Sequence, residues 1–310
     1  MKLFKNKGDI YISKSNYKSS KEERILLSLL CVIVVFTVIF LIVVANKYDF
    51  SAKKFFATDK VIQNVESEDN LAETIPNISG KTNFLVLETN DSKNTIFYAT
   101  IIQADGDNLA YKATTLDGQT KINGVSLNDM YNNDGVKKLH ENVQDYLGIK
   151  LDYFVQFTHS SFKEFVGHLG TFIYPSSETL KFSGGVGNDQ YSVRISEGEQ
   201  KINAKEMSDL LRYYVNEKQN YTIPNEIILY SLIGLINEDN NQKNEKLFRL
   251  FISDTNTNIT VRDFANATKN VEIFSNNSKN MKVYSCIASY DNDYNLTQSA
   301  ISNIQNYYSK

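Results

Sequence analysis

The longest uncharged stretch of this chain constrains its architecture more than any other feature. Residues Ile25 to Ala45 read ILLSLLCVIVVFTVIFLIVVA, which is 21 residues without a charged side chain. At about 1.5 Å per residue, a helix of this length spans a hydrocarbon core of roughly 30 Å. The apolar part of a cleavable signal peptide is shorter, about 7–15 residues. The sequence therefore predicts an uncleaved transmembrane helix.

The charges beside this segment predict its orientation. Residues 1–24 carry seven basic residues against three acidic ones, and residues 46–65 carry four lysines against two aspartates. Because basic residues favour the cytoplasmic side, we predict a single-pass protein of the cell membrane with its N-terminus in the cytoplasm. Its predicted parts are a basic tail (1–24), the transmembrane helix (25–45), a juxtamembrane stalk (46–82) and an extracellular domain (83–310). A net charge of −3 argues against a nucleic-acid binder.

The outer part alternates between strand and helix patterns. NFLVL and TIFYATIIQ read as strands, and the turn signal ADGDN (Ala104 to Asn108) predicts a hairpin between the second of them and LAYKATT. DGVKKLHENVQDYLG places its apolar residues on one helical face, with Gly148 at the C-terminal cap. IKLDYFVQF alternates as a strand does, and several amphipathic helices follow. This order is typical of an α/β fold of layered α+β type.

Two aspartates are candidate ligands of a phosphate-bound metal. Asp91 and Asp117 each lie in a turn directly after a strand-like run. Carboxylates in such a place hold Mg²⁺ against phosphates in many α/β proteins, although aspartate also favours turns for purely local reasons. Arg212 is a candidate phosphate clamp, with a solvated helix arginine as the alternative.

The histidines and serines of the chain form no recognisable catalytic motif. His140, His159 and His168 have no metal-ligand spacing, and we expect them on helix surfaces or in a loop. No GxSxG elbow is present. The histidines and serines therefore predict no nucleophile and no metal ligand, and Mg²⁺ is expected as a cofactor only if some activity remains.

Three segments of the outer part resemble the LytR-CpsA-Psr family. They are VKKLHENVQDYLGIKLDYFVQF, GEQKINAKEMSDLLRYY and FISDTNTNITVRDF. The resemblance implies a central mixed sheet flanked by helices. It also implies transfer of glycopolymer phosphates from a polyprenyl-pyrophosphate carrier to peptidoglycan with Mg²⁺, with arginines on the pyrophosphate and the lipid tail in an apolar pocket under the sheet.

This chain departs from the family pattern at most of the positions where the family has charged residues. Where the family has glycine, aspartate, arginine and aspartate after its first strand, this chain has Glu88, Asn90, Ser92 and Asn94. An asparagine supplies no carboxylate charge to Mg²⁺, and a serine does not neutralise a phosphate.

Two further family positions are retained, but their neighbours are not. Asp117 is kept, while the arginine expected before it is Leu116. Arg212 is kept, while the second arginine of that pair is Tyr214. Losing one charge-stabilising group already costs about 10²–10³ in rate. We therefore predict that the chain does not catalyse the family's phosphotransfer.

The sequence leaves three functions open. The first is a non-catalytic domain that binds a polyprenyl-phosphate lipid, a wall glycopolymer or an envelope protein. The second is a divergent Mg²⁺-dependent phosphotransferase in which an altered phosphate site is formed by Asp91, Lys93, Asp117, Lys121 and Arg212. The third is a structural or sensory domain without a ligand.

Overall fold

The computed structural model describes residues 80–309. The predicted cytoplasmic tail, the transmembrane helix and nearly all of the stalk lie outside these residues. Among the helices between residues 80 and 309, none is both long and apolar enough to cross a membrane. The first strand begins at Lys81, two residues before the predicted start of the domain.

The described chain alternates strands and helices throughout. The strands are β1 (Lys81–Thr89), β2 (Ile96–Asp105), β3 (Ala110–Leu116), β4 (Lys121–Ile122), β5 (Val125–Ser126), β6 (Tyr153–Thr158), β7 (Phe172–Ser176), β8 (Leu180–Gly184), β9 (Tyr191–Ile195), β10 (Gly198–Ile202), β11 (Asn256–Thr257) and β12 (Lys282–Ser285). The helices are α1 (Leu127–Leu147), α2 (His159–Gly167), α3 (Ala204–Arg212), α4 (Thr222–Leu235), α5 (Asn244–Asp254), α6 (Val261–Asn276) and α7 (Gln298–Ser309).

A six-stranded mixed sheet in the order β11-β6-β1-β2-β3-β12 forms the centre of the domain. Strands β1, β2 and β3 are antiparallel neighbours, so the predicted hairpin is confirmed. β6 runs parallel to β1, and β12 runs parallel to β3. The expected α/β fold with a central mixed sheet is therefore confirmed. The glycine-rich segment KFSGGVGNDQ contains the end of β8 and the turn into β9, and the two strands form a small separate hairpin.

One face of the sheet is closely packed. Leu85, Leu87 and Ile101 point to this face and are completely buried against helices α1 and α7. Leu139 of α1 is likewise 0% exposed. α1 ends as predicted at Gly148, whose φ of 62° is the left-handed conformation that glycine adopts at little cost. The completely buried side chains of this layer form an ordinary hydrophobic core.

The opposite face is covered by helices α2 to α6, and its outer wall is incompletely buried. α5 contains Leu247, Phe248, Leu250 and Phe251, yet none of its residues is buried. The apolar pattern of the segment that forms α4 predicts a buried helix. Ile227 is buried, but Ile228, Leu232 and Leu235 are only half-buried. Large apolar side chains remain accessible here because the helices enclose a cavity.

Local capping signals place most helix starts correctly. The capping box of Asn203 and Glu206 opens α3, and Thr260 caps α6. Ser161 and Glu164 also have the spacing of a capping box, but they do not cap α2. Thr158 caps α2 instead, and Ser161 completes its capping box from the third helical position. The first helical residue of α2 is therefore His159.

Candidate functional site: an apolar cavity and a buried polar cluster

An elongated cavity of about 450 Å³ lies between the sheet and helices α2 to α6. Its floor is one face of the sheet, because side chains alternate along a strand. In the register of the sheet, Val86 of β1 lies between Thr100 of β2 and Val155 of β6, and all three line the cavity. Its volume falls within the usual range of small-molecule sites, about 300–1,000 Å³.

The cavity follows strand β1 for most of its length. Thr82 lies at one end and Glu88 lies six positions further along the strand at the other, which corresponds to about 20 Å. The lining is aliphatic and aromatic, with phenylalanines from α2, α5 and α6 forming much of the wall. A long, narrow apolar space of this shape fits a hydrocarbon chain better than a compact polar ligand.

Glu88 closes one end of the cavity with a buried carboxylate. Its side chain is 1% exposed and accepts three hydrogen bonds. Tyr98 Oη donates to Oε2 at 2.6 Å, while Ser208 Oγ and His159 Nδ1 lie 2.7 and 2.8 Å from Oε1. Burial, with the adjacent Glu88 charge, raises the pKa of Tyr98 well above its usual value. The tyrosine therefore stays a neutral donor, as the carboxylate requires.

A β-bulge beside Glu88 positions the next group. The register shifts between Glu88 and Thr89, whose partners on β2 are Tyr98 and Ile96, so Phe97 is the extra residue. The Phe97 ring meets His159 edge-on with centroids 5.9 Å apart. The guanidinium carbon of Arg212 lies 3.7 Å from the Phe97 centroid. The bulge thus brings a histidine and an arginine to the same ring.

Arg212 is part of this buried cluster and is not a solvated helix residue. It is 3% exposed, and the ring of Tyr191 covers it at 4.2 Å. Its Nη2 donates to the carbonyl of Asp189 at 2.7 Å. Its buried Nε has no hydrogen-bond partner among the described residues. Burial lowers the pKa of Arg212, whereas the Glu88 charge acts in the opposite direction. A single π-helical turn, Tyr213–Glu217, follows directly, a feature frequent at functional sites.

The turn after β1 is organised by its own side chains. Asn90 Oδ1 accepts from the backbone N–H groups of Asn94 and Thr95, and its Nδ2 donates to Asp189. Asp91 is exposed and accepts from the backbone N–H and hydroxyl of Ser160, both at 2.7 Å. Partial burial acts to raise the pKa of Asp91, but the hydrogen bonds from Ser160 lower it. Lys93 is exposed, with a left-handed φ of 55°.

Asp117 and Lys121 belong to a different set of contacts. Asp117 is buried and accepts from the Gln119 N–H, and burial raises the pKa of its carboxyl. Its backbone N–H donates to Tyr290 Oη. Lys121 contacts the 294–295 region through backbone pairing. Neither side chain forms an ion pair with Asp91 or Arg212 in the described residues. The grouping of the five candidate phosphate ligands in one site stays a prediction.

The described residues do not fit a magnesium site. Within residues 80–309, no three histidine, cysteine, aspartate or glutamate side chains are grouped closely enough to hold a metal ion. The two candidate aspartates have separate partners, and Glu88 is already held by three donors. No chemical step that passes through a metal follows from this arrangement.

Our prediction that His159 lies on a helix surface or in a loop is wrong. Its side chain is 17% exposed and is tied to Glu88. Its Nδ1 also lies 3.2 Å from Ser208 Oγ, so one ring nitrogen contacts both Ser208 and Glu88. A serine hydrolase uses both ring nitrogens, one for serine and one for the acid. This arrangement therefore stabilises a carboxylate and does not activate a serine nucleophile.

Comparison with known proteins gives a consistent result for the domain that the structure describes. The family model named LytR_cpsA_psr matches residues 111–309. A solved protein from Eubacterium siraeum has 17% identity, covers 78% of this chain and 98% of its own, and superposes with a TM-score of 0.65. B. subtilis TagV has 16% identity, with 74% of this chain and 96% of its own covered and a TM-score of 0.57.

A third similar structure is that of a protein with a bound ligand. TagT bound to LI-WTA has 12% identity, covers 74% of this chain and 89% of its own, and has a TM-score of 0.53. No curated protein matches the chain. At these identities the superpositions establish the shared fold.

Proposed function

Because the chain belongs to the LytR-CpsA-Psr family, we propose that it is a single-pass membrane protein whose extracellular domain binds a polyprenyl lipid without catalysing phosphotransfer. The observation that carries this proposal is the apolar cavity of about 450 Å³. Half-buried leucines and phenylalanines line it, and covering apolar surface is worth about 25 cal/mol per Å². A domain with a purely structural role gains nothing by leaving this surface uncovered.

The hydrogen-bond and stacking partners of the candidate phosphate ligands support a non-catalytic role. A divergent phosphotransferase needs several cationic and acidic groups converging on one phosphate. Here Arg212 is stacked between Phe97 and Tyr191, while Asp117 lies among other partners. TagT bound to LI-WTA has the same fold, which supports a role for this chain at the cell wall. A wall glycopolymer or an envelope protein is the alternative ligand.

Filling the cavity should abolish lipid binding. Ala267 of α6 lines the cavity, and Ala267→Phe places a ring in the space that the chain of the lipid would occupy. We expect affinity for a polyprenyl lipid to fall at least about tenfold, or 1.4 kcal/mol. The measurement is retention of a radiolabelled polyprenyl lipid by the full chain in nanodiscs. Ala265→Phe is the matched control, because Ala265 is exposed on the same helix. Equal retention by both variants would refute lipid binding in this cavity.

The second test concerns catalysis itself. We expect the purified outer domain, supplied with Mg²⁺ and a lipid-linked saccharide, to transfer no saccharide to peptidoglycan above background. Arg212→Lys should leave that background unchanged, because no phosphate is held there for transfer. Robust transfer that depends on Arg212 would establish the divergent phosphotransferase instead.

A further inference from the structure

The accessibility of the cavity lining decreases from one end of the cavity to the other. Among the lining residues in and just before β1, Gly80 is exposed, Thr82 is half-buried and Glu88 is 1% exposed. The neighbouring strand β6 shows the same gradient, because Tyr153 is half-buried whereas Phe157, the register partner of Glu88, is buried. The cavity therefore opens at the end of the sheet where β1 begins.

Helix α6 borders this opening. Asp263 in its first turn lies beside Tyr153 of β6. Phe274 near its last residue packs on Tyr111 of β3, with ring centroids 5.2 Å apart. Both strand residues lie toward the beginning of β1 in the register of the sheet, so α6 crosses the sheet at this end. Asn270 lies between these two contacts along the helix, lines the cavity and is exposed. The opening thus carries polar side chains.

The opposite end is closed by packed side chains. Ser208 donates to Glu88, and the adjacent Met207, which lines the cavity here, is 4% exposed. Phe162 is 8% exposed and meets the ring of Phe157 edge-on, with centroids 5.7 Å apart. A head group placed at this end would have to displace buried side chains and lose its water, which is costly for a charged or strongly polar group.

From this gradient we infer that the cavity takes its lipid tail first, with the tail directed toward Glu88 and the head group held at the opening between the start of β1 and α6. The inference rests on the proposed function, because it gives the orientation of the lipid in that same cavity. The hydrocarbon chain gains from burial in the apolar interior, whereas a phosphate or saccharide keeps its water at the opening.

This orientation is the reverse of the one that the family pattern implies. In that pattern the charged residues that hold the pyrophosphate follow the end of the first strand. Here the head group lies at the beginning of that strand, away from Arg212, which is stacked on Phe97 beside the closed end. A head group at the opening is not limited in size by the cavity, so the site is suited to a lipid-linked saccharide.

Photocrosslinking of the full chain in phosphatidylcholine nanodiscs tests the orientation. Two geranylgeranyl phosphates are compared, one with a diazirine on its last isoprene unit and one with a diazirine attached beyond the phosphate. We expect the tail probe to label the peptides of Phe162 and Met207 at least about tenfold more than the peptide of α6, and the head probe to show the opposite preference. The same preference with both probes, or the reverse pattern, would overturn the inference.

Competition provides a second measurement that needs no crosslink. Adding a saccharide to the phosphate of an unlabelled competitor should change its half-displacing concentration by less than about threefold, because that end stays in water. Adding an adamantyl group to the last isoprene unit should raise it at least about tenfold, because that end meets packed side chains. Tolerance of the adamantyl group with rejection of the saccharide would overturn the inference.

A binding control separates these results from a failure of the proposed function. Labelling counts only where excess unlabelled geranylgeranyl phosphate suppresses it and Ala267→Phe reduces it. If neither probe gives such labelling at either end, the domain does not bind the lipid in this cavity, and the proposed function fails together with the inference. Saturable labelling with equal or reversed preference leaves the proposed function intact and removes only the orientation.

Discussion

Replacing Glu88 with alanine should destabilise the domain formed by residues 80–309 by about 3–5 kcal/mol, which is the usual cost of removing one partner from a buried charged network. Glu88→Ala would leave the hydroxyls of Tyr98 and Ser208 and the Nδ1 of His159 without their acceptor. It would also leave the buried Arg212 without an opposing charge that favours its protonated form. Urea unfolding of the purified domain, followed by circular dichroism, measures the change.

The matched control for this change is Glu226→Ala. Glu226 is exposed on α4, and surface substitutions of this kind change the free energy of unfolding by about 0.5 kcal/mol or less. A loss below about 1 kcal/mol in the free energy of unfolding for Glu88→Ala would mean that water can hydrogen-bond to the groups that Glu88 leaves behind. Glu88 would then not be the buried acceptor described above.

The two faces of the sheet should respond differently to the same substitution. Leu139 is completely buried in the packed layer, so Leu139→Ala should cost about 2–5 kcal/mol through lost burial and a new cavity. Leu232 is half-buried and already borders the cavity. Leu232→Ala creates no additional enclosed void and should cost about 1 kcal/mol.

Urea unfolding of both variants gives the comparison, with the denaturant slope as a check that unfolding remains cooperative. Equal losses would mean that the layer around α4 is packed as closely as the layer around α1, and the case for an open cavity would be lost. Adding a polyprenyl lipid should raise the stability of the wild-type domain by mass action, and Leu139→Ala should keep that ligand-dependent gain.

The buried polar cluster around Glu88 shows which site residues sequence patterns do not identify. Asp117 was singled out by its position in a turn and Arg212 by its residue type, the family pattern retains both, and both are buried. His159 gave no signal, because a lone histidine at the start of a helix has no spacing to interpret. Glu88 appeared only as a departure from glycine, although it is the centre of the hydrogen-bond network. One available signal was a charged residue that continues an apolar strand, since such a residue must be paired if it is buried.

The sequence by itself determined the local elements of this protein. Strand and helix periodicities, the Asn203 and Thr260 caps and the left-handed Gly148 depend on neighbouring residues, so they could be read directly and agree with the structure. The predicted membrane helix rests on the same kind of local pattern. The tertiary structure alone decided the cavity and the cluster, because Glu88 meets partners 71 and 120 residues away along the chain. Whether facing side chains fill a space or leave it open depends on how separate helices pack, and no local pattern encodes that volume.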